Sequence, residues 1–221
     1  MTRALSHPPR RASIDLDEVQ HLVLDGVSWN FYEHLLKEIG DRPLRVTFDN
    51  GMLEIMSPLP EHEAAKGFIG RMIEMLSFQL RSPMKSLGST TFRRRDKAKG
   101  LEPDECYFFQ SSAKVRGIKR WNPRIHPPPD LVVEIDIFSR SIEREPIYVA
   151  LGVPELWRYD GRSIRCLHLV GGRYVIRKHS RVFPFLEVAA LNKFIESLTE
   201  HDENEVLYEF LDWVRQNGWI V

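Results

Sequence analysis

Carboxylates interrupt the apolar run Asp130-Leu-Val-Val-Glu134-Ile-Asp136-Ile137. An unpaired charge is costly to bury, so acids in such a run imply partners or a cation. On an extended chain Asp130, Val132, Glu134 and Asp136 share one face, while Leu131, Val133, Ile135 and Ile137 share the other and pack on a core. The earlier run Glu-Pro-Asp104-Glu105-Cys106-Tyr-Phe108 alternates in the same way, with Asp104, Cys106 and Phe108 on one face. If the two strands are neighbours, Asp104 approaches Glu134. Two such carboxylates suit a hard divalent ion such as Mg²⁺, with waters and substrate phosphates filling its shell. An ion of that kind generates hydroxide and offsets charge on a phosphate under attack. The plainer alternative is that Glu134 and Asp136 pair with arginines at a sheet edge or face water.

The elements that must position these acids are legible in outline. Residues 15–40 read as helical in two pieces, the second with Ser28 as N-cap, Phe31, Leu35 and Ile39 on its apolar face and Gly40 as its stop. Asn50-Gly51 between alternating runs predicts a hairpin. A long amphipathic helix follows, with Ala65, Phe68, Ile69, Met72, Ile73, Leu76 and Leu80 on one broad face. Strands are expected over the segments ending in Arg95 and Gln110, joined by a basic turn at residues 96–100, then a loop over residues 111–129. The acidic strand is expected over residues 130–138. A short helix ending at Gly152 follows, starting late or kinked because of Pro146. Three further strands, with turns at Gly161 and Gly171-Gly172, lead to two C-terminal helices. The order predicts an α/β fold, a mixed β-sheet flanked by helices, with an N-terminal β-hairpin and a C-terminal helical extension. The passage through the short helix predicts a parallel crossover.

Bulk properties narrow the function classes. The 221 residues carry 31 Lys plus Arg and 31 Asp plus Glu, a formal net charge of zero. No global basic footprint advertises nucleic-acid binding, so any basic site is local. Two cysteines, Cys106 and Cys166, exclude a Cys-rich zinc site or a disulfide scaffold and fit a reduced, cytoplasmic protein. No run of about 18 apolar residues suggests a membrane span. Residues 1–13, basic and Pro-rich, read as a disordered arm; residues 14–185 read as the main domain and residues 186–221 as a helical extension packed on it. The C-terminal apolar stripes Val188, Leu191, Ile195, Leu198 and Val206, Phe210, Val214 read as core, or as the interface of a homodimer.

The segments around Asp104, Pro128 to Ser141 and Ile147 to Gly161, with residues 51–63 upstream, resemble the Uma family of putative restriction endonucleases, within the PD-(D/E)XK nuclease superfamily. The resemblance runs over roughly residues 28–180. It implies a restriction-endonuclease-like core, Mg²⁺ (or Mn²⁺) as cofactor and DNA as substrate. By that resemblance Asp104 and Glu134 are the metal-binding acids and catalytic residues. The superfamily lysine two residues after the second acid is replaced by Asp136, a third ligand or water-orienting group. In the Uma family that lysine is similar in place to a position four before the helix tyrosine. That tyrosine is Tyr148, and the position is Arg144 here. Arginine keeps the charge but does not lose its proton. Lys97 and Lys99 are substitutes by position.

Glu54, His62 and Glu63 are upstream candidates, His62 and Glu63 lying where a long helix begins and Glu is favoured by the dipole. Two basic groups offer nucleic-acid contacts. One holds Arg93, Arg95, Lys97 and Lys99; the other holds Lys114, Arg116, Lys119, Arg120, Trp121 and Arg124. Phosphate neutralisation by such residues would be salt-dependent, and Trp121 could stack on a base. Three expectations therefore compete: a metal-dependent DNA phosphodiesterase, a binding module that kept the fold and lost the chemistry, and a structural dimer.

Overall fold

Asn50 and Gly51 both have positive φ, 49° and 97°, which is the backbone of a two-residue hairpin turn and the reason glycine sits there. They join two strands, β2 (Arg45–Asp49) and β3 (Met52–Met56), and they belong to a computed structural model that describes residues 21–40, 42–137 and 141–220. The expected arm over residues 1–13 lies outside the described residues, as do positions 138–140 at the end of the expected acidic strand.

Before the hairpin come β1 (His21–Leu24) and α1 (Trp29–Ile39). Residues 21–24 were expected to be helical; they form a strand because they pair antiparallel along the open edge of β3, and that ladder outweighs a weak local helix pattern. α1 starts and stops as its caps dictate. Ser28 Oγ accepts from Phe31 N at 3.2 Å, and Gly40 takes φ 57°. Its buried face is set by Tyr32 and Ile39, whereas Phe31 is exposed.

After the hairpin comes α2 (Pro60–Gln79), with Pro60 in its first turn and Phe68, Ile69, Met72, Ile73 and Leu76 buried. Short strands follow: β4 (Lys85–Ser86), β5 (Phe92–Arg94), β6 (Lys99–Leu101), β7 (Glu105–Phe108) and β8 (Leu131–Ile135). The chain then forms α3 (Glu145–Leu151), β9 (Glu155–Tyr159), β10 (Ile164–Val170), β11 (Arg173–Arg177), α4 (Asn192–Ser197) and α5 (Glu203–Gln216).

Among the described residues the strands make two sheets rather than one. The first has the order β1-β3-β2-β6-β5, the second β11-β10-β9-β8-β7-β4. The fold is thus mixed α/β, and β8-α3-β9 is the parallel crossover in an otherwise antiparallel second sheet. Both faces of that sheet are covered. Leu131, Val133 and Ile135 pack with α2 and the C-terminal helices, while Val132 packs with Ile147, Tyr148 and Leu151 of α3. The acid-bearing face of β8 was expected to be open; α3 closes it, because the crossover must lie on one side of the sheet and brings its apolar residues there.

Candidate active site

The register of β7 against β8 pairs Glu105 with Val133 and Cys106 with Val132. One step further along, Asp104 stands opposite Glu134. Both are buried, at 1% exposure. Asp104 Oδ2 accepts from Ile135 N at 2.8 Å, so one candidate acid is clamped to the backbone beside the other.

Glu134 faces α3. Its Oε2 accepts from Arg144 Nη1 at 2.7 Å, and its Oε1 accepts from Tyr148 Oη. Arg144 caps α3 and Tyr148 lies four residues on, so both project from one side of the first turn. Burial by itself would pull the Arg144 guanidinium down, but the charge of Glu134 overcomes this and raises it further. Burial, reinforced by Glu134, pushes the Tyr148 phenol well above its ordinary value. Asp136, two residues along, accepts from Arg158 Nε at 2.6 Å, and the same arginine binds Glu145.

His62 comes from the first turn of α2. It is buried rather than solvent-facing, with Nε2 3.2 Å from Asp104 Oδ1 and Nδ1 3.4 Å from Glu63 Oε1. Burial pulls its pKa down, but the two carboxylates more than reverse this and hold it at about 9. Glu63, half exposed, is lowered to about 2 by His62 first, with Lys66 and Arg45 assisting. Arg45 of β2 completes this side, 3.5 Å from Glu63 and 3.9 Å from Asp104. Glu54 reaches the region from β3, opposite Thr47 and on the face that carries Arg45. Its Oε1 accepts from Ser141 N at 2.7 Å and sits 2.8 Å from His21 Nε2. Its Oε2 is buried without a hydrogen-bond partner among the described residues.

The structure therefore brings Asp104, Glu134, Arg144, His62 and Glu63 into one cluster, with Asp136 at its margin. Sequence reasoning missed Tyr148 as a partner of Glu134, although its i+4 spacing from Arg144 was visible, and it missed Arg45, which only its tertiary approach to Glu63 and Asp104 reveals. Asp130 lies elsewhere. Its Oδ2 accepts from Phe109 N, Ser111 N and Ser111 Oγ at 2.7–3.0 Å, so this second Pro-Asp is a loop clamp. Glu155 is another structural acid, fully buried and accepting from Trp157 Nε1, Arg181 N and Val182 N.

The basic residues divide. Arg95 binds Asn30 and Glu33, and Lys99 binds Asp49. Arg93 is half-buried on β5; Lys97, Lys119 and Arg120 are exposed. Trp121 is not placed to stack on a base: Nε1 donates to Pro127 O at 2.7 Å and the ring meets Phe92 edge-on.

The donor chemistry fits a hard divalent ion. Asp104 and Glu134, opposite each other where β7 meets β8, are carboxylates of the type such an ion takes.

The mixed α/β scaffold thus gathers buried acids, a buried arginine and a histidine at the ends of neighbouring strands. The chain belongs to the Uma2 family, described as putative restriction endonuclease, which it matches over residues 29–201. It is also similar to a crystal structure of a putative nuclease from Anabaena variabilis ATCC 29413, at 13% identity and a TM-score of 0.48, over 81% of this chain and 97% of that one. No curated protein matches the sequence. Among the described residues no helix is long and apolar enough to cross a membrane.

Proposed function

We propose that the chain is a metal-dependent endonuclease that hydrolyses DNA phosphodiester bonds, with Mg²⁺ or Mn²⁺ held by Asp104 and Glu134. The observation that carries this reading is the pairing of those two acids across β7 and β8, locked by the bond from Ile135 N to Asp104. Family membership supports the same activity. When bound, the ion would supply an activated water and offset phosphate charge.

The chain's own groups do the rest. Arg144 and Tyr148 fix the orientation of Glu134. Arg144 is a permanent cation and serves as a fixed countercharge for the phosphate rather than as a base. His62 and Arg45 hold Asp104 from the other side, and Asp104 together with Glu63 keeps His62 charged. Asp136 orients water or substrate at the margin, where Arg158 sets its position. Lys97, Lys119 and Arg120, exposed and without an ion pair among the described residues, join Arg93, Arg95 and Lys99 as candidate contacts to DNA. A homodimer would present two such sites to the two strands of a duplex. The two buried free cysteines suit a cytoplasmic setting.

One observation favours a second reading, a nuclease-fold binding module without chemistry: both Glu134 oxygens already accept hydrogen bonds from Arg144 and Tyr148. Calorimetric titration with Mn²⁺ and Mg²⁺, on the wild type and on Glu134→Ala, alongside plasmid nicking, separates the two. Metal binding and EDTA-sensitive nicking that both vanish in the variant support the nuclease. DNA binding with no metal uptake, even with duplex present, and no nicking establishes the binding module instead.

A further inference from the structure

The acid site does not end at β8. The register pairs Glu134 with Arg158 on β9, and Arg158 with Arg165 on β10. These three residues form one row across adjacent strands on the face that carries α3. With strands about 4.8 Å apart, the row reaches about 10 Å from Glu134. It opens into a pocket of about 210 Å³ lined by Asp136, Ile142, Glu143, Arg144, Arg158, Asp160 and Arg165. Exposure rises along it: the side chains of Arg144, Arg158 and Arg165 are 6%, 27% and 49% exposed.

We propose that Arg158 and Arg165 form a phosphate-binding track for the nucleic-acid backbone beside the reacting phosphate. The proposal rests on the nuclease reading and places the substrate strand along the second sheet, over residues that sequence reasoning had not assigned. Arginine presents a planar fork that matches phosphate oxygens two at a time. Stability alone does not account for Arg165. Its contact with Asp160 is 3.5 Å long and about half exposed, a pair of little structural worth. Arg158 is engaged by Asp136 and Glu145. Those carboxylates and Asp160 hold the guanidinium groups in a row until phosphates replace them as partners. The surrounding acids also set a threshold against a lone anion, which offers one phosphate where a strand offers several.

The test measures binding of the full chain to a fluorescein-labelled DNA duplex in EDTA, by anisotropy, across a NaCl series. Wild type, Arg165→Gln, Arg158→Lys, Asp160→Asn and Arg173→Gln are compared, each first shown to unfold at a temperature close to that of the wild type. Arg173 is an arginine of the edge strand β11, beyond the pocket. Removing one phosphate contact lowers the slope of log affinity against log salt by about 0.9 on a duplex. Arg165→Gln is expected to lose about that much slope. Arg173→Gln is expected to keep the wild-type slope. Arg158→Lys is expected to bind more weakly although its charge is kept, and Asp160→Asn to bind more tightly.

Equal slopes for Arg165→Gln and wild type would overturn the track and leave the nuclease reading intact. Wild-type protein that binds no duplex at low salt, either in EDTA or with Ca²⁺ in its place, would overturn both. Inorganic phosphate that displaces the duplex at equimolar concentration would show a free-anion site and overturn the track.

Discussion

Arg144 Nη1 lies 2.7 Å from Glu134 Oε2, with both side chains buried and Tyr148 donating to the other oxygen of the same carboxylate. This ion pair joins α3 to the end of β8 and so ties the crossover helix to the candidate reaction centre. The desolvation of a buried pair offsets most of its Coulombic gain, but breaking one from either side removes compensation from a buried charge. The pair thereby makes fold and site depend on the same few atoms.

Arg144→Ala is expected to destabilise the protein by about 3–5 kcal/mol, the usual cost of removing one member of a buried ion pair. Arg144→Lys restores the charge without the fork and should recover part of that loss. Urea unfolding curves of the three proteins measure both. An Arg144→Ala variant as stable as the wild type would show that the pair contributes nothing to stability.

Tyr148→Phe removes a hydroxyl and little else. Loss of a hydrogen bond to a charged group costs about 1.5–3 kcal/mol. If Glu134 is a metal ligand, Tyr148 is its outer partner, and its removal should weaken Mn²⁺ binding by about 10–100-fold. Calorimetry reads the affinity and chemical denaturation the stability. Unchanged metal affinity beside a stability loss would restrict Tyr148 to packing.

His62 gives a pH prediction with a definite sign. Its folded pKa of about 9 lies above the ordinary value of 6.5. Its contribution is therefore fully present below pH 6.5 and is lost as pH rises through about 9. At full strength it amounts to about 3 kcal/mol. Glu63 runs the other way: held at about 2, its contribution is present above its ordinary 4.5 and is lost as pH falls through 2. Stability compared at pH 6 and pH 10 should fall in the wild type, and the fall should shrink in His62→Gln. The same pH dependence in both proteins would rule out His62 as its source.

Glu155→Ala is expected to destabilise by at least about 3 kcal/mol, since Trp157 Nε1 and the amides of Arg181 and Val182 all lose a charged acceptor. Because this acid lies on the face of the sheet that packs with Trp157 and Cys166, Mn²⁺ affinity at the Asp104–Glu134 site should not change in protein that stays folded. Calorimetry under stabilising conditions checks that separation.

Local rules in the sequence determined much of the scaffold. The hairpin at Asn50-Gly51, the capped helix after Ser28, the long apolar stripe of α2 and the turn glycines are decided by backbone conformation and side-chain period, which act within a few residues. Strand alternation was enough to put Asp104 with Cys106 and Glu134 with Val132, each on a shared face. Only the tertiary structure decided which partners those acids meet. His21–Leu24 became a strand because an edge of β3 was open to it, and the strands divided between two sheets because of pairings far apart in sequence. The burial of His62, the approach of Arg45 and the separation of Asp130 from the site likewise follow from packing between distant segments. So does the row from Glu134 through Arg158 to Arg165, which exists only through the register of three strands. Charges are the hardest to place from sequence, since a carboxylate bound for a loop clamp, an ion pair or a metal has the same local signature until its neighbours are known.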